Sequence, residues 1–307
     1  MTQPLSIEDE NWTYLITTRT ADSRLWLIDS KQLEAKILGI LARYQEIYGA
    51  ILYAFILMGN HYHLVAKFPG RNRALFMRDF NSAVARVVGR YVKAHGRRSV
   101  WARRYSYQIL PRSEDIMHWF FYAALNPVSS GLCRTIASYR SYNSFQDAAA
   151  GRTRTCEWLD WSKYTMKRRY NPAIEVEQFI TKYELSFSRL PGFEHLSATA
   201  YAELLHTELQ KRQTEKVAER DLRGQKFMAD FNRSPKQGDR PFSTKTSTRT
   251  SYRPLVLTLC STTKRAVLDT YFRILDRFKE ASDLYRNKNT FVQFPSGTYP
   301  PPKLRLT

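Results

Sequence analysis

Two histidines, His61 and His63, stand two positions apart in the apolar run "YAFILMGNHYHLVAKF" (residues 53–68). A β-strand sends alternate side chains to the same face, so both imidazoles would project side by side. Imidazole is the commonest protein ligand for transition metals. Later in the chain, "YAALNPV" sets Tyr122 and Asn126 four residues apart, the spacing of neighbours on one helix face. If that helix crosses the sheet face bearing the histidines, the Asn126 amide oxygen completes a three-ligand metal site beside the Tyr122 hydroxyl. The chemistry that needs these groups is phosphodiester cleavage by a protein nucleophile. A metal so held keeps positions open for phosphate oxygens and stabilises a leaving 3′-oxygen. A phenol, with an ordinary pKa near 10, attacks and leaves a covalent 5′-phosphotyrosine.

The elements that must position these groups can be read from residue patterns. "WTYLITTRT" (12–20) is rich in β-branched and aromatic residues and reads as a first strand. Asp29 or Ser30 caps a helix through "KQLEAKILGILARYQEIYG", which stops at Gly49. Two strands follow, parted by Gly59 and Asn60, a gap with the chemistry of a tight hairpin. A second helix runs through "RALFMRDFNSAVARVVGRYVKAH", "RRYSYQIL" is a fourth strand, and Ser113 caps a third helix, "EDIMHWFFYAAL", ended by Pro127. The order β-α-β-β-α-β is the split βαβ, ferredoxin-like arrangement, an α+β core with an antiparallel sheet and both helices on one face. The third helix is an addition to that core. Its polar stripe begins with Glu114 and His118. Alone, Glu114 reads as favourable N-terminal charge and His118 as a packed or solvent-facing residue.

A chain of 307 residues with 43% hydrophobic content can bury a substantial core. Its formal net charge of +20 favours polyanions, nucleic acid first. Between Lys67 and Arg112 the only acid is Asp79. Arg78, Arg86, Arg90, Lys93, Arg97, Arg98, Arg103 and Arg104 in that stretch read as a DNA phosphate track. Cys133, Cys156 and Cys260 lie far apart, which suits a reducing compartment. The polar, acidic start is no signal peptide, and no apolar run reaches the roughly 18 residues of a membrane span. A cytoplasmic, nucleoid-associated protein with no membrane partner is expected. Residues 1–150 read as the catalytic domain, 151–235 as a helical extension, 236–254 as a flexible linker, and 255–307 as a C-terminal helical segment with a Pro-rich tail. The helix within "ATAYAELLHTELQKRQTEKVAERDLRGQKF" is so charged that it reads as solvated.

"FILMGNHYHLV", "YAALNPVSSGLC" and "YRSYNSF" together resemble the REP-associated tyrosine transposases, a branch of the single-tyrosine HUH enzymes. The resemblance covers roughly residues 10–147. It implies a ferredoxin-like fold, a divalent metal (Mg²⁺ or Mn²⁺), and cleavage and rejoining of single-stranded DNA at hairpins of repetitive extragenic palindromes. By position, His61 and His63 match the metal ligands, Tyr122 the nucleophile, and Asn126 the place from which relatives supply a third ligand. Gly59 departs from the family, which usually has proline there. The connection from Gln108 to Ser113 is short, so the site is expected within one chain, in a monomer.

Two other classes compete. One is a catalytically silent nucleic-acid-binding or regulatory protein on the same fold, against which the intact His61, His63 and Tyr122 argue. The other is a metal-dependent barrel hydrolase, which would need eight strand–helix repeats and further carboxylate and histidine ligands.

Overall fold

A computed structural model of the chain describes residues 4–28, 30–96, 98–228, 235–241, 253–287, 289 and 291–301. Its core follows the expected order: β1 (Thr13–Arg19), α1 (Lys31–Tyr48), β2 (Ile51–Leu57), β3 (His61–Lys67), α2 (Arg73–Tyr91) and β4 (Ser106–Leu110). The strands lie in the order β2-β3-β1-β4, each antiparallel to its neighbour. This is the ferredoxin-like sheet.

Local chemistry explains the element ends. The Ser30 hydroxyl accepts from the Leu33 N–H and caps α1, and Gly49, at φ 58°, ends it in the left-handed region that suits glycine. Asp29 lies outside the described residues. The Met58 N–H donates to the His61 carbonyl at 2.8 Å, leaving Gly59 and Asn60 at the hairpin tip.

Alternation divides the sheet faces. Tyr62 turns toward α2, meeting Phe80 edge-on at 5.5 Å between centroids, and Phe55 joins the same cluster. The Thr18 hydroxyl donates to Tyr62, which donates in turn to Asn81 Oδ1, so the buried phenol is satisfied. His61 and His63 consequently occupy the opposite face. That face is covered by α3 (Ser113–Ala124). Ser113 is the first helical residue of α3 rather than its cap. Arg112 holds the cap position without a side-chain cap bond, and its guanidinium instead pairs with Glu114 at 3.2 Å and Asp115 at 3.5 Å.

α3 stops at Ala124, and a separate turn, α4 (Asn126–Ser129), begins with Asn126 and Pro127. Proline has no N–H to give and suits a first turn. Then come α5 (Phe145–Ala150), β5 (Arg154–Leu159), α6 (Trp161–Tyr170) and β6 (Ile180–Leu185). β5 and β6 form an antiparallel hairpin on α1, a sheet element within the mostly helical extension. Its polar residues lack the unbroken apolar alternation that marks a strand.

α7 (Ala198–Leu222) is not simply solvated: Tyr201, Leu205 and Leu209 are buried, and it packs on α4 and α5. That stripe is one residue wide and confined to the first half of the helix, so the surrounding charge obscured it. Part of the stretch read as a linker is bonded to the core, since the Leu25 N–H donates to Asp239 O and the Gly238 N–H to Leu25 O. The rest of that stretch, residues 242–252, lies outside the described residues. β7 (Leu255–Val256) then adds a fifth strand, parallel to β4, and α8 (Ser261–Arg286) follows. Among the described residues no helix is long and apolar enough to cross a membrane.

Candidate active site

Strand register brings the first groups together. Thr17 of β1 lies opposite His63 of β3, and Arg19 opposite His61, so four side chains share the face beneath α3. The His61 and His63 rings meet edge-on, 4.9 Å between centroids, and both residues are buried.

Hydrogen bonds set the state of each ring. His61 Nδ1 lies 2.6 Å from the Asn60 amide oxygen, which can only accept, so Nδ1 carries the hydrogen. The Asn60 amide is oriented by donation from its nitrogen to the Ser23 carbonyl at 3.2 Å. His63 Nδ1 lies 2.8 Å from Thr17 Oγ1, while the Asn126 amide nitrogen approaches His63 Nε2 at 3.1 Å. An amide nitrogen only donates, so Nε2 of His63 carries the lone pair. Both rings therefore keep Nε2 as the available donor atom, the arrangement that hydrogen bonds at Nδ1 impose on metal-binding histidines. Burial pushes both imidazoles below the ordinary histidine range, His63 to about 4 and His61 well down, with the His63 and Arg19 charges adding to the effect on His61. Near neutral pH both rings are uncharged.

The Asn126 amide also acts on the His61 ring, slightly opposing the effect of burial, so it lies near both imidazoles. Its oxygen accepts from the Ser130 hydroxyl at 3.3 Å. A half-turn about the Cβ–Cγ bond exchanges oxygen and nitrogen, and the serine hydroxyl can then accept instead. The oxygen would then stand about 3 Å from His63 Nε2, as two neighbouring ligands do when bonds of roughly 2.1 Å meet at a right angle. The donor set thus fits a divalent cation through two imidazoles and an amide. Among the described residues no three His, Cys, Asp or Glu side chains gather at a metal position.

Tyr122 stands beside this cluster in the same chain. Its ring meets His63 edge-on at 5.7 Å and Trp119 at 4.7 Å, and the residue remains 41% exposed, so it is not a core tyrosine. Burial of the ring raises its pKa above the ordinary phenol value, and the Arg19 charge opposes that rise. Glu114 and His118, earlier on the stripe, face solvent, so only its second half, Tyr122 and Asn126, turns toward the histidines.

The basic residues fall into two groups. The segment before β4 passes the end of β1, where the Ala102 N–H donates to Arg19 O at 3.0 Å, and the Arg103 charge acts on Arg19. Arg103, Arg104 and Arg98 are exposed, and Arg104 stacks over Tyr105. Arg78, Arg86 and Arg90 instead sit on α2, across the sheet from the histidines. Arg78 is already paired with Asp79 at 2.6 Å. Lys93 is exposed just after α2, and Arg97 lies outside the described residues.

Thr17, Arg19 and Asn60 were not found from the sequence. Alternation in "ITTRT" sets Thr17 and Arg19 on one face, but which face meets His63 depends on pairing with a distant strand.

No protein-family model matches the chain, and no curated protein does. A solved structure of a REP-associated tyrosine transposase bound to a REP hairpin is similar to it at 17% identity and a TM-score of 0.42, over 49% of this chain and 87% of that one. Similarity at that level carries no functional argument.

Proposed function

We propose that the chain nicks and rejoins single-stranded DNA at REP-like hairpins in a metal-dependent reaction, with Tyr122 as nucleophile. The observation that carries this reading is the placement of one half-exposed phenol beside two buried, neutral imidazoles, with the buried Asn126 amide at His63 Nε2. His61, His63 and Asn126 would hold the cation, Mg²⁺ or Mn²⁺. When bound, that cation supplies Lewis-acid activation of the phosphate and stabilisation of the leaving oxygen.

The protein's own groups do the remainder. Trp119 and His63 hold the Tyr122 ring from two sides, which limits the rotations that would carry its hydroxyl away from the phosphate. Oη–P bond formation accompanies breakage of the P–O3′ bond, the phenolic proton passes to solvent, and the departing 3′-oxygen takes a proton from solvent to become the 3′-hydroxyl. The resulting 5′-phosphotyrosine keeps the bond energy for rejoining by a 3′-hydroxyl. Arg19, beside the phenol, favours its ionised form and offers charge to the phosphate. Arg98, Arg103 and Arg104 extend that positive surface for a strand entering the site.

The test is incubation with labelled hairpin single strands and Mn²⁺ or Mg²⁺, resolved on denaturing gels. A covalent protein–DNA adduct is expected with the cation and none with EDTA. In Tyr122→Phe, which keeps the ring and removes the nucleophilic oxygen, the adduct should vanish while DNA binding persists. An adduct of undiminished yield in that variant would move the nucleophile elsewhere. Cation-independent binding with no adduct from the unmodified protein would favour a silent binding protein.

A further inference from the structure

Where β5 and α6 meet α1 and α2, a cleft opens on the α1–α2 side of the sheet, away from His61 and His63. Lys36, Arg86 and Arg90 line it from the helices, and Trp158, Asp160 and Trp161 line it from the extension. We propose that this cleft is a phosphodiester-binding site that anchors nucleic acid at a distance from the cleavage site.

Charge is the first argument. Among the described residues, no ion pair within 4.0 Å engages Lys36, Arg86 or Arg90, although many other basic side chains are so paired. Asp160, in the cleft, is already committed: its carboxylate accepts from the Lys163 N–H at 3.0 Å and pairs with Lys163 Nζ at 3.7 Å. The one other carboxylate on the lining, Glu157, is exposed and makes no ion pair within 4.0 Å with any of the three. Arg86 and Arg90 are one helical turn apart, where like charges repel. A bridging anion turns that repulsion into attraction. Partial burial and then the Arg86 charge lower the Arg90 pKa from its ordinary value, in keeping with that crowding.

The indoles supply the second argument. The Arg90 guanidinium lies over the Trp161 ring at 4.6 Å, and Arg43, behind the cleft, lies over Trp158 at 4.2 Å. Stacking fixes the plane of a guanidinium while leaving its N–H edge free for a phosphate oxygen. Such pre-positioning lowers the entropy cost of each contact.

The ligand follows from those groups: guanidinium and ammonium donors suit phosphate oxygens, and phosphate contacts carry no sequence information, so binding here is independent of sequence. Exposed Lys167, Arg168 and Arg169 on α6 continue the positive surface. That the anchored strand is the one cleaved rests on the function proposed above; the affinity for phosphodiester does not.

The test uses the full chain and fluorescence anisotropy with labelled single strands, short and long, across a salt series. Arg86→Ala/Arg90→Ala should weaken binding of the long strand about tenfold and flatten the log–log salt slope by about 1.4, two phosphates at ~0.7 each. Arg86→Lys/Arg90→Lys should keep most of the slope. An unchanged slope in a folded alanine variant, checked by circular dichroism, would overturn the site. So would an equal loss in the lysine variant, which would trace the effect to packing on Trp161. Failure of the nicking reading is separately visible: with no adduct from the unmodified chain, the salt slopes still decide whether the cleft binds.

Discussion

Thr17 Oγ1 and His63 Nδ1 lie 2.8 Å apart across the β1–β3 pairing, and that bond fixes which imidazole nitrogen is left for a cation. The contact forms because the two residues are register partners on one sheet face. Neither strand's sequence contains it.

Replacing Thr17 with Val keeps the β-branched shape and removes the acceptor. The ring can then turn or change tautomer, and loss of such an outer partner costs roughly 10–100-fold in metal affinity. Calorimetric titration with Mn²⁺ should show that loss in Thr17→Val and near-normal affinity in Thr17→Ser. Equal affinity in all three proteins would mean that the threonine does not orient the ring.

Arg19 tests the electrostatics around the phenol. Burial raises the Tyr122 pKa and the Arg19 charge lowers it, so Arg19→Gln should leave the phenol harder to ionise. The alkaline rise of the adduct-forming rate should move to higher pH, and the rate at neutral pH should fall by about 10–100-fold, the scale of one to three kcal/mol of lost stabilisation. Arg19→Lys should recover part of it. A pH profile that keeps its midpoint while the rate falls would restrict Arg19 to phosphate contact.

The fold was legible where pattern and chemistry coincide. Strand alternation and the Ser30 and Gly49 stops of α1 placed the split βαβ core, because those signals act within a few residues. His61 and His63 share a face for the same local reason. The site's remaining parts depend on long-range register: Thr17 and Arg19 reach the histidines across a strand pair, and Asn60 closes on His61 only once the hairpin is formed. The α2 stripe shows the converse. Arg78, Arg86 and Arg90 belong to one basic stretch of sequence with Arg98, Arg103 and Arg104, yet nothing in that stretch reveals that the sheet stands between α2 and the histidines. The β5–β6 hairpin was hidden because its strands are mostly exposed, as the burial of only Cys156 and Leu159 on β5 illustrates.

Protonation offers a test that needs no substrate. His63 titrates near 4 in the folded chain and near 6.5 when unfolded, and His61 is displaced in the same direction. Between those values the unfolded state binds more protons, so stability rises with pH across the window and is level above it. In EDTA-treated protein, stability should therefore fall as pH drops from about 6.5 toward 4, with His63 contributing roughly 3 kcal/mol at 1.36 per pKa unit. Urea unfolding of the wild type and of His63→Gln at several pH values would show it. A difference between the two that does not change with pH would remove the titration from the account.

The last prediction concerns the joint between core and extension. Gly39 lies on the face of α1 that meets β5, and a Cβ built there would come within 2.1 Å of the Glu157 carbonyl oxygen. That close approach admits no side chain. The hairpin is held to the same helix by Gln45, whose side-chain nitrogen donates to Ser186 O at 2.8 Å and whose oxygen accepts from Ser186 N–H at 3.2 Å. Gly39→Ala should drive β5 outward, and overpacking of this kind costs about 1–3 kcal/mol. Helix propensity pulls the other way, because alanine is favoured over glycine by about 1 kcal/mol in a helix interior, so a measured loss would mean that the steric term wins. The expected result is a lower thermal midpoint together with weaker long-strand DNA binding, since Trp158 and Trp161 move with β5 and α6. Adduct formation on a short strand at saturating concentration should persist, because α1 does not touch the His61–His63 face. A variant as stable as the wild type would show that the hairpin yields without cost.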